Sequence, residues 1–328
     1  MGAQLRVYRR RIRSVQSTKK ITKAMELIAA SRIAKAQSRM NNAKPYAREL
    51  RRALAALSGD TTLKHPMLTG VENPRRAGIL VITSDRGLAG GYNANVLRRA
   101  NELASQLSSD GKEVERFVIG RKGAAFYRFR QISLGGVWTG FSEQPNFADA
   151  RGATEAIVKA VTATSENTIE SEDDDLDGKQ GIDELWVVYT RFVNSVTQTP
   201  TAAQVSPVKA AEDDDDNAED AEDDDEDSGD KEKGAGDGLY EFEPEPARLI
   251  EALLPRYISS RIFSALLESA ASESAARRRA MKSASDNATD LIKTYTRLAN
   301  QARQAEITQE ISEIVGGADA LASAGGDE

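Results

Sequence analysis

The chain has 328 residues, 40% of them hydrophobic but only 5% aromatic, and a formal net charge of -7. That composition supplies one sizeable core and favours extended helix over a large globular interior. With no cysteine and a single histidine, His65, the chain lacks the parts for thiol chemistry, disulfides, Cys-ligated zinc or a Ser-His or Cys-His nucleophile system, and His65, in the turn-like Leu63-Lys64-His65-Pro66, reads as an ordinary loop residue.

The charge is unevenly spread. Residues 212–227, EDDDDNAEDAEDDDED, carry no base, and without them the remaining chain is net positive. Residues 166–177 add seven more acids, so a basic body carries two acidic segments. No apolar run reaches the roughly 20 residues of a spanning helix, and no apolar stretch follows Met1. Both features lead us to expect a chain of cytoplasmic type with no removable leader.

Residues 1–58 read as one helix. Leu5, Tyr8, Ile12 and Val15 follow 3-4-3 spacing, and Thr22, Met25 and Ala29 continue the seam. The other faces carry Arg6, Arg9, Arg10, Arg11, Arg13, Lys19, Lys20 and Lys23, too many cations to bury. Pro45 is expected near a bend, and Gly59 ends the pattern.

Between residues 75 and 209 the alternation of strands and helices predicts an α/β domain of Rossmann-like type. AGILVIT (77–83) reads as a buried strand. The loop Ser84-Asp85-Arg86-Gly87-Leu88-Ala89-Gly90-Gly91 follows, and then a helix over 93–107. A strand over 114–119, the turn Gly120-Arg121-Lys122-Gly123, a helix over 148–163, and strands over 184–193 and 198–208 complete it. The acidic stretches 165–182 and 210–238 read as solvated surface insertions that fix no geometry for a metal or an acid–base pair.

The C-terminal region, 239–328, is dominated by a second long helix after Pro255. Its predicted seam is Ala284, Ala288, Leu291, Tyr295, Leu298, Ala302, Ala305, Gln309 and Ser312, all at 4-3 spacing. Its length requires part of it to project, and its small residues let a partner helix approach closely. The N-terminal helix has the matching period, so an antiparallel coiled coil is expected. A second stripe, Ile307, Ile311, Ile314 and Leu321, predicts that the tip sits in a socket on another protein.

The glycine-rich loop at 87–91 matches neither G-x-G-x-x-G nor the P-loop spacing, which argues for tight-turn geometry over phosphate binding. The cations of the first helix surround a seam committed to pairing, which argues against nucleic acid. Nothing in the chain calls for a cofactor, a metal or a catalytic residue.

Three blocks resemble the gamma subunit family of bacterial F-type ATP synthases. They are RIRSVQSTKKITKAMELIAASRIAKAQ (Arg11 to Gln37), SDRGLAGGYN (Ser84 to Asn93), and RRAMKSASDNATDLI to RQAEITQEISEIVGGA (Arg278 to Ala318). The resemblance implies a non-catalytic rotor stalk within a ring of three alpha and three beta subunits. A c ring and an epsilon subunit lie at its foot, and the complex sits at the cytoplasmic face of the cell membrane, reached only through the membrane sector. By the same resemblance Lys23, Met25, Arg303, Gln304, Thr308 and Glu310 contact the beta subunits, and Tyr240, Glu243 and Pro244 contact the c ring and epsilon. An extra loop near 165–182 resembles actinobacterial members, and charge complementarity leads us to hypothesise that the acidic segments brake rotation in the hydrolytic direction. The competing expectation is a nucleotide-binding α/β enzyme with a helical oligomerisation stalk.

Overall fold

The computed structural model describes residues 2–58, 65–170, 177–208 and 246–324. Its elements are α1 (Gly2–Ser58), α2 (Pro66–Thr69), β1 (Arg76–Ile82), α3 (Tyr92–Ser109), β2 (Glu113–Ile119), α4 (Arg121–Phe129), β3 (Gly136–Trp138), α5 (Phe147–Ala163), β4 (Glu184–Phe192), β5 (Gln198–Ser206) and α6 (Pro246–Ala324). Packing divides the chain into two compact units, one made of residues up to Ala30 and from Arg277 onward, the other of Ser31–Ala276.

The first unit is a two-helix coiled coil. Tyr8 of α1 stacks on Tyr295 of α6 at a centroid distance of 6.4 Å, and the Arg11 guanidinium lies 5.6 Å from the same ring. From this contact comparable lengths of helix lead to Ala30 on α1 and back to Arg277 on α6, so the two strands of the coil are antiparallel. On α1 the predicted seam is the buried one: Thr22 and Ala29 are buried, and Leu5, Tyr8, Ile12, Val15 and Met25 are half-buried.

On α6 the seam departs from expectation. Met281, Ser285, Ala288 and Ala299 are buried, with Ala284, Ile292, Tyr295, Leu298 and Ala302 half-buried, whereas Leu291 is 47% exposed and Ala305, Gln309 and Ser312 face solvent. Two heptad phases share Ala288, Tyr295 and Ala302, and with Ala and Ser on both flanks the spacing alone cannot choose between them. Beyond residue 302 the helix has passed the level of Gly2 on α1, so nothing on α1 covers it there.

The second unit holds a five-stranded sheet of order β3-β2-β1-β4-β5, parallel except for β5, which runs antiparallel to β4. One face packs α3 and α4 through Val96, Leu97, Leu103, Ala124 and Tyr127. The other packs α5 and the 250–266 part of α6 around Leu80, Ile82, Phe117, Ile157 and Leu185. Burial of β1 on both faces explains why AGILVIT is continuously apolar.

Both prolines inside long helices are tolerated. Pro45 lies on the solvent face of α1, where water replaces the lost backbone bond, so α1 continues to Ser58 without a break. Pro255 sits inside α6, which begins nine residues before it rather than after it, because Ile250, Leu254 and Ile258 anchor that stretch in the core. The turn at 120–123 opens α4, and β3 follows; neither element was expected. A nine-residue helix containing Gly123 and a three-residue strand are too short for periodicity to register.

The reading of 165–182 as a solvated loop also needs correction for its described residues. Ile169 is buried in the main core, Thr168 and Gln180 form an antiparallel bridge, and Ile169 N–H donates to the Lys179 carbonyl at 2.7 Å. Gly181 makes the close approach possible, since a Cβ there would stand 2.3 Å from the Thr164 carbonyl oxygen. Acidic composition hid two apolar anchors, Ile169 and Ile182, at the base of the insertion. Residues 171–176 and the whole of 210–238 lie outside the described residues.

Asp183 ties that base to the sheet. Its carboxylate accepts N–H bonds from Arg75 at 2.7 Å, Arg76 at 3.0 Å and Ser165 at 2.8 Å. Burial by itself would push this carboxyl's pKa up, but the donors from Ser165, Arg76 and Arg75 outweigh it and hold the pKa below the ordinary value. The stabilisation is therefore complete above the unfolded carboxyl pKa of about 4 and is lost as pH falls through the lower folded value. Asp183→Asn should lower stability at neutral pH by about 1–3 kcal/mol and flatten the acid limb of the profile, measured by urea denaturation between pH 3 and 7. An unchanged acid limb would show that Asp183 does not carry it.

Candidate subunit-contact surfaces

The loop SDRGLAGGYN leaves β1 at the carboxyl edge of the sheet and is fixed by its own polar side chains. Ser84 N–H donates to Asn93 Oδ1 at 2.9 Å, and Ser84 Oγ donates to the Arg86 carbonyl at 2.6 Å. Asp85 joins three segments: its carboxylate accepts N–H bonds from Arg121 at 3.1 Å, Gly140 at 2.8 Å and Ser142 at 3.0 Å, and its own N–H donates to Ser142 Oγ at 2.8 Å. Beside it Glu143 pairs with both Arg32 and Arg86. The scaffold holds Leu88 at φ +65° with its side chain 61% exposed.

This geometry bears on the nucleotide alternative. Arg121 opens α4, and the N-terminus of a helix following a strand is where a phosphate would bind. Here the Asp85 carboxylate already occupies that N–H group, and its negative charge opposes a second anion. Lys122 does lie close to Gly87, a proximity that reading the loop alone missed, because the two residues come from different βα turns.

In the coiled coil, Lys23 is exposed and pairs with Glu26 at 3.1 Å, and Met25 is half-buried. Arg303, Gln304, Thr308 and Glu310 all lie on the solvent-exposed end of α6, where Thr308 Oγ1 donates to the Gln304 carbonyl at 2.9 Å. The structure does not bring the two groups together. Measured from the Tyr8–Tyr295 contact at 1.5 Å per residue, they lie in opposite directions along the axis, from about 35 Å apart for Lys23 and Arg303 to about 48 Å for Met25 and Glu310. Ile307, Ile311, Ile314 and Val315 are exposed on the same end of α6, up to 72% for Ile314. The side chain of Leu321 and the residues Tyr240, Glu243 and Pro244 lie outside the described residues.

Among the described residues no group of acids and histidine is arranged to hold a metal ion, and no helix is long and apolar enough to cross a membrane. Residues 4–321 match the family model described as ATP synthase. The chain is 54% identical over 98% of its length to the ATP synthase gamma chain of Frankia casuarinae, covering 99% of that protein. The chain belongs to the ATP synthase gamma chain family.

Other members are similarly close. The gamma chains of Saccharopolyspora erythraea and Mycolicibacterium smegmatis are 52% and 51% identical, each over 98% or more of both chains. Among solved structures, a chain of the Euglena gracilis mitochondrial ATP synthase OSCP/F1/c-ring assembly superposes with a TM-score of 0.64 at 18% identity, covering 100% of this chain and 98% of that one. At that identity the match speaks to the fold, an α/β sheet domain with long paired terminal helices. Family membership makes this chain a central-stalk subunit of a membrane-associated ATP synthase.

Proposed function

We propose that this gamma-family chain turns inside a ring of three alpha and three beta subunits, driven by a c ring, and so couples proton flow to ATP synthesis without itself changing any covalent bond. On this reading it sits at the cytoplasmic face of the membrane with epsilon and the c ring at its foot, near Tyr240, Glu243 and Pro244. The coiled coil, the α/β domain over 75–209 and the acidic insertions are its working parts, and the insertions bias the direction of rotation. The observation that carries the reading is the α6 tip, a long single helix with Ile307, Ile311 and Ile314 exposed, which is unfavourable unless another protein surrounds it.

The two polar groups on the coil fit contacts at two heights. Lys23 and Met25 meet one level of the beta subunits, and Arg303, Gln304, Thr308 and Glu310 meet another, with Lys23, Arg303 and Glu310 making charge-assisted bonds that break and re-form as the shaft turns. The absence of cysteine from the chain makes a direct test clean. In the assembled complex, Glu310→Cys paired with a single cysteine on the facing surface of a beta subunit should cross-link on oxidation. ATP hydrolysis and synthesis should then both fall by about tenfold or more and recover with a thiol reductant. Full turnover in the cross-linked state would rule out rotation against that surface.

A further inference from the structure

Where α6 passes the carboxyl end of β4 it changes character. Every residue from 269 to 276, SAASESAA, is buried, and burial on all sides of a helix requires neighbours around its circumference. The stretch is also polar for such a position: Ser269, Ser272, Glu273 and Ser274 are each no more than 2% exposed. Burying hydroxyls and a carboxylate is unfavourable unless specific contacts offset it, so their placement calls for a reason beyond packing.

Three hydrogen bonds hold this part of the helix. Ser272 Oγ donates to the Thr190 carbonyl at 3.0 Å, the Phe192 N–H donates to Glu268 Oε2 at 3.4 Å, and the Tyr92 hydroxyl donates to the Ser269 carbonyl at 3.4 Å. Two apolar clusters accompany them, Phe192 with Ala271 and Ala275 beside Ile33 and Ala36 of α1, and Tyr92 with Ala276 and Ala89. At about 100° per residue the α6 positions involved follow one another around the helix in the order 271, 275, 268, 272, 276, 269, an arc of about 160°. Thr190 and Phe192, at the end of β4, meet the first four of these positions, and Tyr92, at the start of α3, meets the other two.

We propose that the end of β4 and Tyr92 form a rotation key on α6, through which torque carried by the α/β domain enters the shaft helix. A helix of alanine and serine in a purely apolar sleeve could turn about its own axis, since no side chain is long enough to catch. Here a turn of one residue position would pull Ser272 away from the Thr190 carbonyl and set a serine hydroxyl against the Phe192 ring, leaving a buried acceptor unpaired. The acceptor cannot follow the helix, because β4 is paired on both sides, with β1 and with β5. Beyond the key α6 continues without a break to Ala324, so a load applied at Ser272 passes directly along it. Ser272, Phe192 and Tyr92 are thus positioning residues for rotation.

The inference rests on the reading of the chain as a rotor, and the test separates the two. In the assembled complex, immobilised by its beta subunits, a gold bead is attached to the α/β domain through Gln106→Cys, the chain having no cysteine of its own. The angular spread of the bead during catalytic pauses measures the stiffness between that domain and the ring. Ser272→Ala, which removes the bonded hydroxyl and little volume, should widen the spread by about twofold. Ser274→Ala is the control and should leave the spread unchanged, because its hydroxyl is equally buried but has no hydrogen-bond partner among the described residues. A spread unaltered by Ser272→Ala, or widened as much by Ser274→Ala, overturns the key. Absence of ATP-driven bead rotation when residues 272 and 274 are both unaltered overturns the rotor reading instead.

Discussion

Gly120→Ala is expected to lower the stability of the α/β domain by about 3–5 kcal/mol, because two separate penalties fall on one atom. Gly120 sits at φ +103°, where a side chain is strained whatever the space around it. An added Cβ would also stand 2.2 Å from the Thr83 carbonyl oxygen and 2.6 Å from its carbonyl carbon, both backbone atoms that cannot swing aside. Thr83 is itself held, with its N–H on the Ile119 carbonyl at 2.8 Å and its Oγ1 accepting from Gly123 N–H at 2.9 Å. Relief therefore requires β1 and β2 to part at their carboxyl ends. Gly111→Ala provides the control: φ is +80° but nothing lies within 4 Å, so only the conformational penalty of about 1–2 kcal/mol remains. Urea denaturation of both variants measures the difference, and equal losses would show that the Thr83 contact yields.

Asp85→Ala is expected to cost about 2–4 kcal/mol, since a carboxylate that accepts several N–H bonds leaves each donor unsatisfied when removed. The loss should be local in a way that identifies its cause. The amides of Arg121, Gly140 and Ser142, which donate to this carboxylate, should lose hydrogen-exchange protection together, while the core of α3 keeps it. Asp85→Asn should recover part of the loss, because its carbonyl oxygen can still accept from Gly140 and Ser142, which share one carboxylate oxygen, while its amide nitrogen is another donor facing the Arg121 N–H. In the assembled complex the same change releases the loop that presents Leu88, so ATP synthesis should fall further than global stability predicts. Unchanged exchange at Gly140 and Ser142 would refute the linking role.

The long elements were legible because their signals are long. The first turns of α1 repeat one seam, and every predicted position from Leu5 to Ala29 is buried or half-buried. The buried strand at AGILVIT announced itself by an unbroken apolar run. Short elements gave less: α4 and β3 together span twelve residues, below the length at which a period can be counted. The phase of the α6 seam was ambiguous for a different reason, since Ala284, Ser285, Ala288, Leu291 and Ile292 allow two stripes and only the partner helix selects one.

The candidate contact residues were named by resemblance, and the fold adds where they stand. Lys23 and Glu310 belong to different levels of the coil, a separation invisible until Tyr8 is seen against Tyr295. The role of Asp85 was equally hidden, because its three donors come from residues 121, 140 and 142, distant in sequence and joined only by the parallel sheet.

The sequence by itself determined that long helices precede and follow an α/β segment along this chain, and that it lacks the residues for most covalent chemistry. Periodicity and composition are local properties, and each helix or buried strand needs only its own residues to declare itself. The tertiary structure alone decided which face of α6 is covered, how the base of the acidic insertion is pinned, and which groups meet at the carboxyl edge of the sheet. Those outcomes depend on contacts between residues far apart in the chain, where burial and hydrogen bonding are settled by the partner.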